Sequence, residues 1–196
     1  LFGPGGERSV PAGQFFLGPG QTVLEPGELM TAIRIPPSPP GAAAVPDGLW
    51  APAAGVTPAT GNYVYLESQA GDYIGGGATY LYTLATAQIT VDVDNARLSV
   101  TVNGDEWWSG DFQGMSSISR IEAGYYGDLQ RYPFHNPVKG GLSWSGEGRG
   151  CNTLTGWYVV DSVTYNGDSL EGIDLRFEQH CEGGGPALNG RIRWDV

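Results

Sequence analysis

The side chains best suited to chemistry crowd between Gly148 and Gly183: Arg149, Cys151, Trp157, Asp174, Arg176, Glu178, His180 and Cys181. An Asn166-Gly167 pair divides this stretch into two strand-like runs. Asn and Gly both tolerate positive φ, so the pair reads as a two-residue hairpin turn. Centred there, the turn sets Val160 beside Ile173 and Tyr158 beside Leu175, with Phe177 extending that buried face. Asn152 then lies opposite Cys181, one step from Cys151. A disulfide needs Cα atoms within about 7 Å, so a bulge or small register change would let Cys151 and Cys181 pin the open end. Such a bond closes a loop of roughly 30 residues and adds about 3–4 kcal/mol in the entropic model.

The opposite face carries Asp174, Arg176, Glu178 and His180, across from Val159, Trp157, Thr155 and Thr153. Rings plus a few oriented polar groups are how β proteins hold sugars. The candidate ligand face is therefore Arg176, Glu178, His180 and Trp157, with Trp144, Tyr126 and Arg149. The competing reading is a solvated sheet face with Arg176 over Trp157, a cation–π contact worth about 0.5–1 kcal/mol. Glycoside hydrolysis needs two carboxyls, about 5 Å apart for retention and about 6.5–9.5 Å for inversion. Asp174 and Glu178, four residues apart on one strand, are about 13 Å apart by backbone rise, so any partner of Glu178 must lie elsewhere, at Glu147 or Glu182. Neither His135 nor His180 has a Gly-x-Ser-x-Gly elbow to serve, and Ser143-Trp144-Ser145-Gly146 does not supply one.

The wider aromatic set is Trp107, Trp108, Tyr125, Tyr126, Tyr132, Trp144 and Trp157, and half or more of these rings are expected in the core. Tyr125 and Tyr126, adjacent in a Gly-flanked loop, are the two least able to point inward together. No cofactor is expected. Calcium has two weak sets of ligands, Asp92 with Asp94 and Asn95, or Asp128, without a twelve-residue loop motif. Two Cys and two distant His lack zinc spacing, which leaves a disulfide as the use of the cysteines.

These side chains must be positioned by strands. Gly at 32, Pro at 14 and a single lysine, Lys139, argue against a helical chain. Short Val-, Tyr-, Trp- and Thr-rich runs between Gly and Asn-Gly are those of an antiparallel β domain. Tyr63–Leu66 and Tyr80–Leu84 are short strands around Gly75-Gly76-Gly77. Ile89, Val91 and Val93, then Leu98, Val100 and Val102, alternate with polar residues as a half-buried hairpin. Trp107–Phe112, Leu142–Gly146 and Leu188–Val196 follow as strands, and residues 113–123 hold at most a helical turn. The net charge of −11 disfavours nucleic acid, which needs a basic patch. No apolar run is long enough to span a membrane. The chain opens on Leu1, as a processed form or a fragment would.

Eleven of the 14 prolines fall in residues 1–58. Residues 1–60 therefore read as a weakly structured Pro/Gly-rich arm, with a polyproline-like linker over 36–58, and residues 61–196 as the β domain. Gly5-Gly6-Glu7-Arg8, Phe15-Phe16-Leu17-Gly18 and Leu24-Glu25-Pro26-Gly27-Glu28-Leu29 to Ile35-Pro36 resemble an internal piece of the FAD-binding subunit of molybdenum hydroxylases (the carbon monoxide/xanthine dehydrogenase family). The glycine-rich segments that hold FAD in that family lie upstream of such a piece, so the resemblance implies no flavin site here. Residues 61–196, with the aromatic loop around Tyr125, Arg149-Gly150-Cys151-Asn152 and Glu178-Gln179-His180-Cys181-Glu182-Gly183, resemble an uncharacterised secreted β module of environmental bacteria, which implies secretion and a disulfide. The combined expectation is an antiparallel β-sandwich or flattened barrel, secreted or periplasmic, that binds a carbohydrate or another cell-surface ligand. A small secreted glycan hydrolase using Glu178, or an adhesive appendage in which Leu29–Ile35 lends a strand to a neighbour, are the alternatives.

Overall fold

A computed structural model describes residues 1–33 and 42–196, without the side chains of residues 12 and 13. Residues 34–41, which hold the densest part of the Pro-rich linker and the end of the Leu29–Ile35 segment, lie outside the described residues. The chain forms two compact units that divide within that stretch.

The first unit consists of the hairpin β1 (Phe2–Gly3) and β2 (Gly6–Glu7), a single turn α1 (Ala12–Phe15), and the hairpin β3 (Phe16–Gly18) and β4 (Gln21–Thr22). Leu29 exchanges two backbone hydrogen bonds of 2.9 Å with Phe2. The Arg8 guanidinium forks onto Glu28 with two contacts of 2.6 Å and reaches the Val23 carbonyl at 2.7 Å. That bond to Arg8, seconded by the Glu25 backbone N–H, holds the Glu28 carboxyl down to about 2. Part of the expected arm is thus folded.

The second unit is one ten-stranded, barrel-like sheet that nearly closes on itself. Its strands are β5 (Tyr63–Ser68), β6 (Thr79–Thr83), β7 (Gln88–Asp94), β8 (Arg97–Asn103), β9 (Trp107–Gln113), β10 (Gly124–Arg131), β11 (Gly141–Gly146), β12 (Leu154–Asn166), β13 (Ser169–Cys181) and β14 (Leu188–Asp195). Their order is β6-β5-β14-β13-β12-β10-β11-β9-β8-β7. All neighbours are antiparallel except β10 and β11, which pair in parallel at Gln130–Gly141 and Arg131–Leu142. The period-two pattern sends one parity inward: Val64, Leu66, Leu98, Val100, Val102, Tyr158, Val160, Leu175, Phe177 and Ile192 join one core. Inside the sheet's curve Trp108 Nε1 on β9 donates to the Tyr82 hydroxyl on β6 at 3.1 Å. Burial pushes that hydroxyl up to about 12.

The interior is filled by large rings laid over small cross-strand partners. Trp144 faces Gly110, Trp108 faces Gly146, and Phe177 faces Gly190. A Cβ on these glycines would lie 2.1, 2.4 and 2.2 Å from the facing ring. Past Leu142, where β11 leaves β10, Trp144 has β9 on one side and no strand on the other. Gln179, fully buried on β13, takes the place of one: its Oε1 accepts from the Trp144 N–H at 2.9 Å and its Nε2 donates to the Trp144 carbonyl at 2.8 Å.

The hairpin forms with its turn one residue later than Asn166-Gly167 suggests. Asn166 pairs with Ser169, so the central residues are Gly167 and Asp168, and Gly167 alone takes a positive φ, of 62°. That is the glycine-first pattern of a type II′ turn rather than the double positive φ of type I′. Val160 consequently faces Leu175 and Tyr158 faces Phe177. On β13 the displacement is by two residues, so Asp174, Arg176, Glu178 and His180 keep their expected face, whereas a bulge between Val160 and Ser162 reverses the parity of β12 beyond it and sets Val163 opposite Ile173. Leu154, not Asn152, lies opposite Cys181. Cys151 and Cys181 are disulfide-bonded with Cα atoms 5.2 Å apart. Replacing both cysteines by serine is expected to cost about 3–4 kcal/mol of stability, read from urea midpoints.

Tyr125 and Tyr126 lie on β10 rather than in a loop, so the pleat turns them to opposite faces. Residues 114–123 contain turns and bends but no helix.

Candidate functional site

Arg176, Glu178, His180 and Trp157 are brought together on the outer face of β12 and β13, as the pleat requires. The face continues over β14 and β5, and registered pairs set Trp157, Glu178, Asn189 and Glu67 in one row across four strands. Glu178 Oε1 accepts from Trp157 Nε1 at 3.2 Å. At the other end of the row Glu67 Oε1 accepts from Trp50 Nε1 at 3.3 Å, and its Oε2 from the Tyr65 hydroxyl at 3.0 Å. Burial, then the bond to Glu67, raise Tyr65 above the ordinary tyrosine value, so it remains a donor. Between the two carboxylates lies Asn189, 1% exposed, whose Oδ1 has no partner among the described residues.

Residues 42–60, expected from the sequence to belong to the weakly structured arm, are a strap across this same face. Ala43 pairs with Tyr125 on β10. The Trp50 ring lies parallel to Tyr65, with centroids 6.4 Å apart. The Ala59 carbonyl accepts from Arg193 at 3.0 Å. Arg176 fastens the strap: Nη1 donates to the Trp50 carbonyl at 2.6 Å, while Nε and Nη2 grip Asp161 at 2.7 and 3.0 Å. Asp174 is likewise taken by Arg191, at 2.9 and 2.7 Å. Arg176 and Asp174 therefore brace the face. Glu178 and His180 keep about a quarter of their side-chain surface exposed, at 25% and 26%.

His180 links the row to the next feature. Its Nδ1 donates to the Gly185 carbonyl at 2.9 Å, and its Nε2 faces Glu178 Oε1 at 3.2 Å. The 182–187 loop held in this way walls a cleft of about 360 Å3, lined also by Asp72, Tyr73, Asn152 and Cys181. The cleft's two carboxylates are spent on backbone N–H groups and neighbouring hydroxyls. Asp72 accepts from Gly75 N and Ser68 Oγ at 2.8 and 2.7 Å. Glu182 accepts from the Asn152 and Thr153 N–H groups and from Thr153 Oγ1. These bonds, the one from Asn152 first, hold the Glu182 carboxyl below its ordinary 4.5. A carboxyl depressed by folding stabilises the fold above its unfolded pKa and stops doing so as the pH falls through the lower, folded value. The protection of the Asn152 and Thr153 amide protons against exchange, relative to the free chain at the same pH, should therefore fall as the pH drops through that lower value in wild type, and be reduced at every higher pH in Glu182→Gln.

The remaining expected ligand residues lie elsewhere. Trp144 and Tyr126 are each 1% exposed, because both sit on the inward parity of their strands. They belong to the core and present nothing to a surface ligand. Arg149 sits at the loop end of the barrel, donating to the Ile74 carbonyl at 2.7 Å and lying over Trp108 at 5.8 Å. Glu147, one suggested partner for Glu178, instead caps the Trp107 N–H at 2.8 Å. Of the calcium candidates, Asp94 contacts Asn95 and Arg97, and Asp128 pairs with Lys139 at 2.9 Å. No cluster of three or more His, Cys, Asp or Glu suited to a metal occurs among the described residues, and no described helix is long and apolar enough to cross a membrane.

Glu67, Asn189, Trp50 and Tyr65 are the residues that local sequence reasoning passes over. Their link to Glu178 runs through β14, whose pairing with β5 spans more than a hundred residues of chain. The signal present was the same-face pair Tyr65 and Glu67, two apart on a strand. No family model, no curated protein and no solved structure matches this chain.

Proposed function

We propose that the chain is a glycan-binding module, secreted or periplasmic, that takes a neutral saccharide across the Trp157–Glu178–Asn189–Glu67 row. One observation carries the reading: two glutamates, each held by an indole N–H, flank Asn189 in one registered row on the outer face. Sugar hydroxyls donate to carboxylate oxygens, and Trp50 and Tyr125, both partly exposed, supply ring surface beside them. The net charge of −11 favours a neutral ligand over a polyanionic one. The disulfide suits an oxidising compartment.

The test is calorimetric titration with cellohexaose, xylohexaose and maltohexaose. At least one is expected to bind wild-type protein. A hydrogen bond to a charged group contributes about 1.5–3 kcal/mol, so Glu67→Ala and Glu178→Ala should each weaken that binding at least about tenfold. Failure of all three sugars to bind at millimolar concentration, or unchanged affinity in both variants, would sink the proposal.

A further inference from the structure

We propose that the open seam of the barrel, along the free edge of β7, binds an extended partner segment in which apolar residues alternate with lysine or arginine. β6 and β7 are the two end strands of the sheet, and each has a paired strand on one flank only. A turn over residues 84–87 joins them, tied by a 2.9 Å bond from the Ala87 N–H to the Thr83 carbonyl. Beyond the turn no backbone hydrogen bond links the two strands among the described residues. Burial shows the gap opening away from the turn. Tyr82 and Ile89, the inward residues nearest the turn, are buried, whereas Tyr80, Val91 and Val93, farther along the same inward parity, are only half-buried. Their cross-strand partners Leu66, Val100 and Leu98 are fully buried. The loss of cover therefore belongs to the flank on which the sheet lacks a next strand.

A free edge presents unpaired backbone N–H and C=O groups that a further strand can take up. Lysine, proline, a bulge or shortness ordinarily guards such an edge. β7 runs seven residues, contains neither lysine nor proline, and keeps an unbroken register with β8. A strand laid on it must follow its pleat. On the inner side that strand covers Val91 and Val93, which calls for apolar side chains. On the outer side it runs beside Gln88, Thr90, Asp92 and Asp94, of which both aspartates are exposed. Asp94 already meets Arg97, and no described lysine, arginine or histidine pairs with Asp92. Opposite charges facing across strands attract and like charges repel, so the segment that fits carries its basic residues on the outer side. A second copy does not meet that need. Paired through its own β7, it would set two acidic edges together at a net charge of −11 on each chain. The aspartates thus repel another edge of the same kind and admit a basic one.

The experiment titrates the full chain with a short synthetic peptide that alternates valine and lysine, read by calorimetry and by backbone amide exchange. The expected result is saturable binding with added protection of amides within residues 88–94. A peptide with glutamate in place of lysine, and one with a central proline, should each bind at least about tenfold more weakly. Asp92→Lys should weaken binding of the valine–lysine peptide about tenfold or more. Asp168→Lys makes the same change of net charge in the exposed hairpin turn and should leave the affinity unchanged. No binding at millimolar peptide, equal binding of the three peptides, or equal losses in the two variants overturns the inference. So does protection that appears elsewhere with β7 unchanged, or dimerisation of the chain alone that protects the same amides. The peptide comparisons use the wild-type chain and decide the matter even where a variant fails to fold. None of these readings involves the Glu67–Glu178 row.

Discussion

Replacing Gln179 with leucine is expected to cost about 2–6 kcal/mol of folding stability. The side chain is fully buried, and its amide accepts from the Trp144 N–H and donates to the Trp144 carbonyl on the side away from β9. Leucine fills similar space but leaves both backbone groups without a partner in the core. Each such group costs about 1–3 kcal/mol when desolvated and unpaired. The effect should appear as a lower urea midpoint, with the slope of the transition unchanged. Glu178→Gln, one position away on the opposite face, lacks any such role and should stay within about 0.5 kcal/mol of wild type. If Gln179→Leu is equally mild, β11 does not depend on this surrogate pairing.

Gly110→Ala should lose about 3 kcal/mol, the upper end of the usual cost of overpacking. A Cβ there would sit 2.1 Å from Trp144 Cε3 and 2.4 Å from Cζ3, and Phe112 lies behind at 3.3 Å. The Trp144 ring is itself hemmed in by Phe112 and Phe177, with centroids 6.2 and 5.2 Å away. Gly185→Ala is the matched control, because a Cβ at Gly185 meets nothing within 4 Å and its backbone φ is not positive. It should leave the thermal midpoint unchanged, and a comparable drop in both variants would show that the glycine-over-ring packing is not the cause.

The all-β architecture was legible because period-two alternation is a local property. Ile89 to Val93 and Leu98 to Val102 turn inward as their spacing requires. The disulfide could be reached from the hairpin because both cysteines belong to one local pair of strands. The exact register was not, since Asn166-Gly167 and Gly167-Asp168 are both acceptable turn centres and only the tertiary structure selects the second. The error of two residues left the face of β13 intact, and so Arg176, Glu178, His180 and Trp157 do share a surface.

Trp144 and Tyr126 were misassigned for a different reason. An aromatic residue is equally suited to a core and to a sugar platform, and the choice depends on where its strand begins. Nothing local in Leu142–Gly146 reveals that Trp144 packs over a glycine on β9. Glu67 escaped notice because residue types alone do not reveal which distant strand will lie beside β13. Residues 42–58 were read as linker and 59–60 as the end of the arm from their proline content, yet Trp50 and Ala59 are fixed by Arg176 and Arg193, more than a hundred residues away.

The glycan site can be tested most directly through the six tryptophan indole N–H signals of the protein. Trp50 and Trp157 each donate to a glutamate of the proposed row, whereas Trp107 lies exposed at the loop end and Trp108 and Trp144 are buried. On titration with a bound hexaose, the Trp50 and Trp157 indole signals should shift together and saturate with the calorimetric affinity, while those of Trp107, Trp108 and Trp144 stay in place. Saturable shifts at Trp107 with Trp50 and Trp157 unmoved would contradict the account and place the sugar elsewhere.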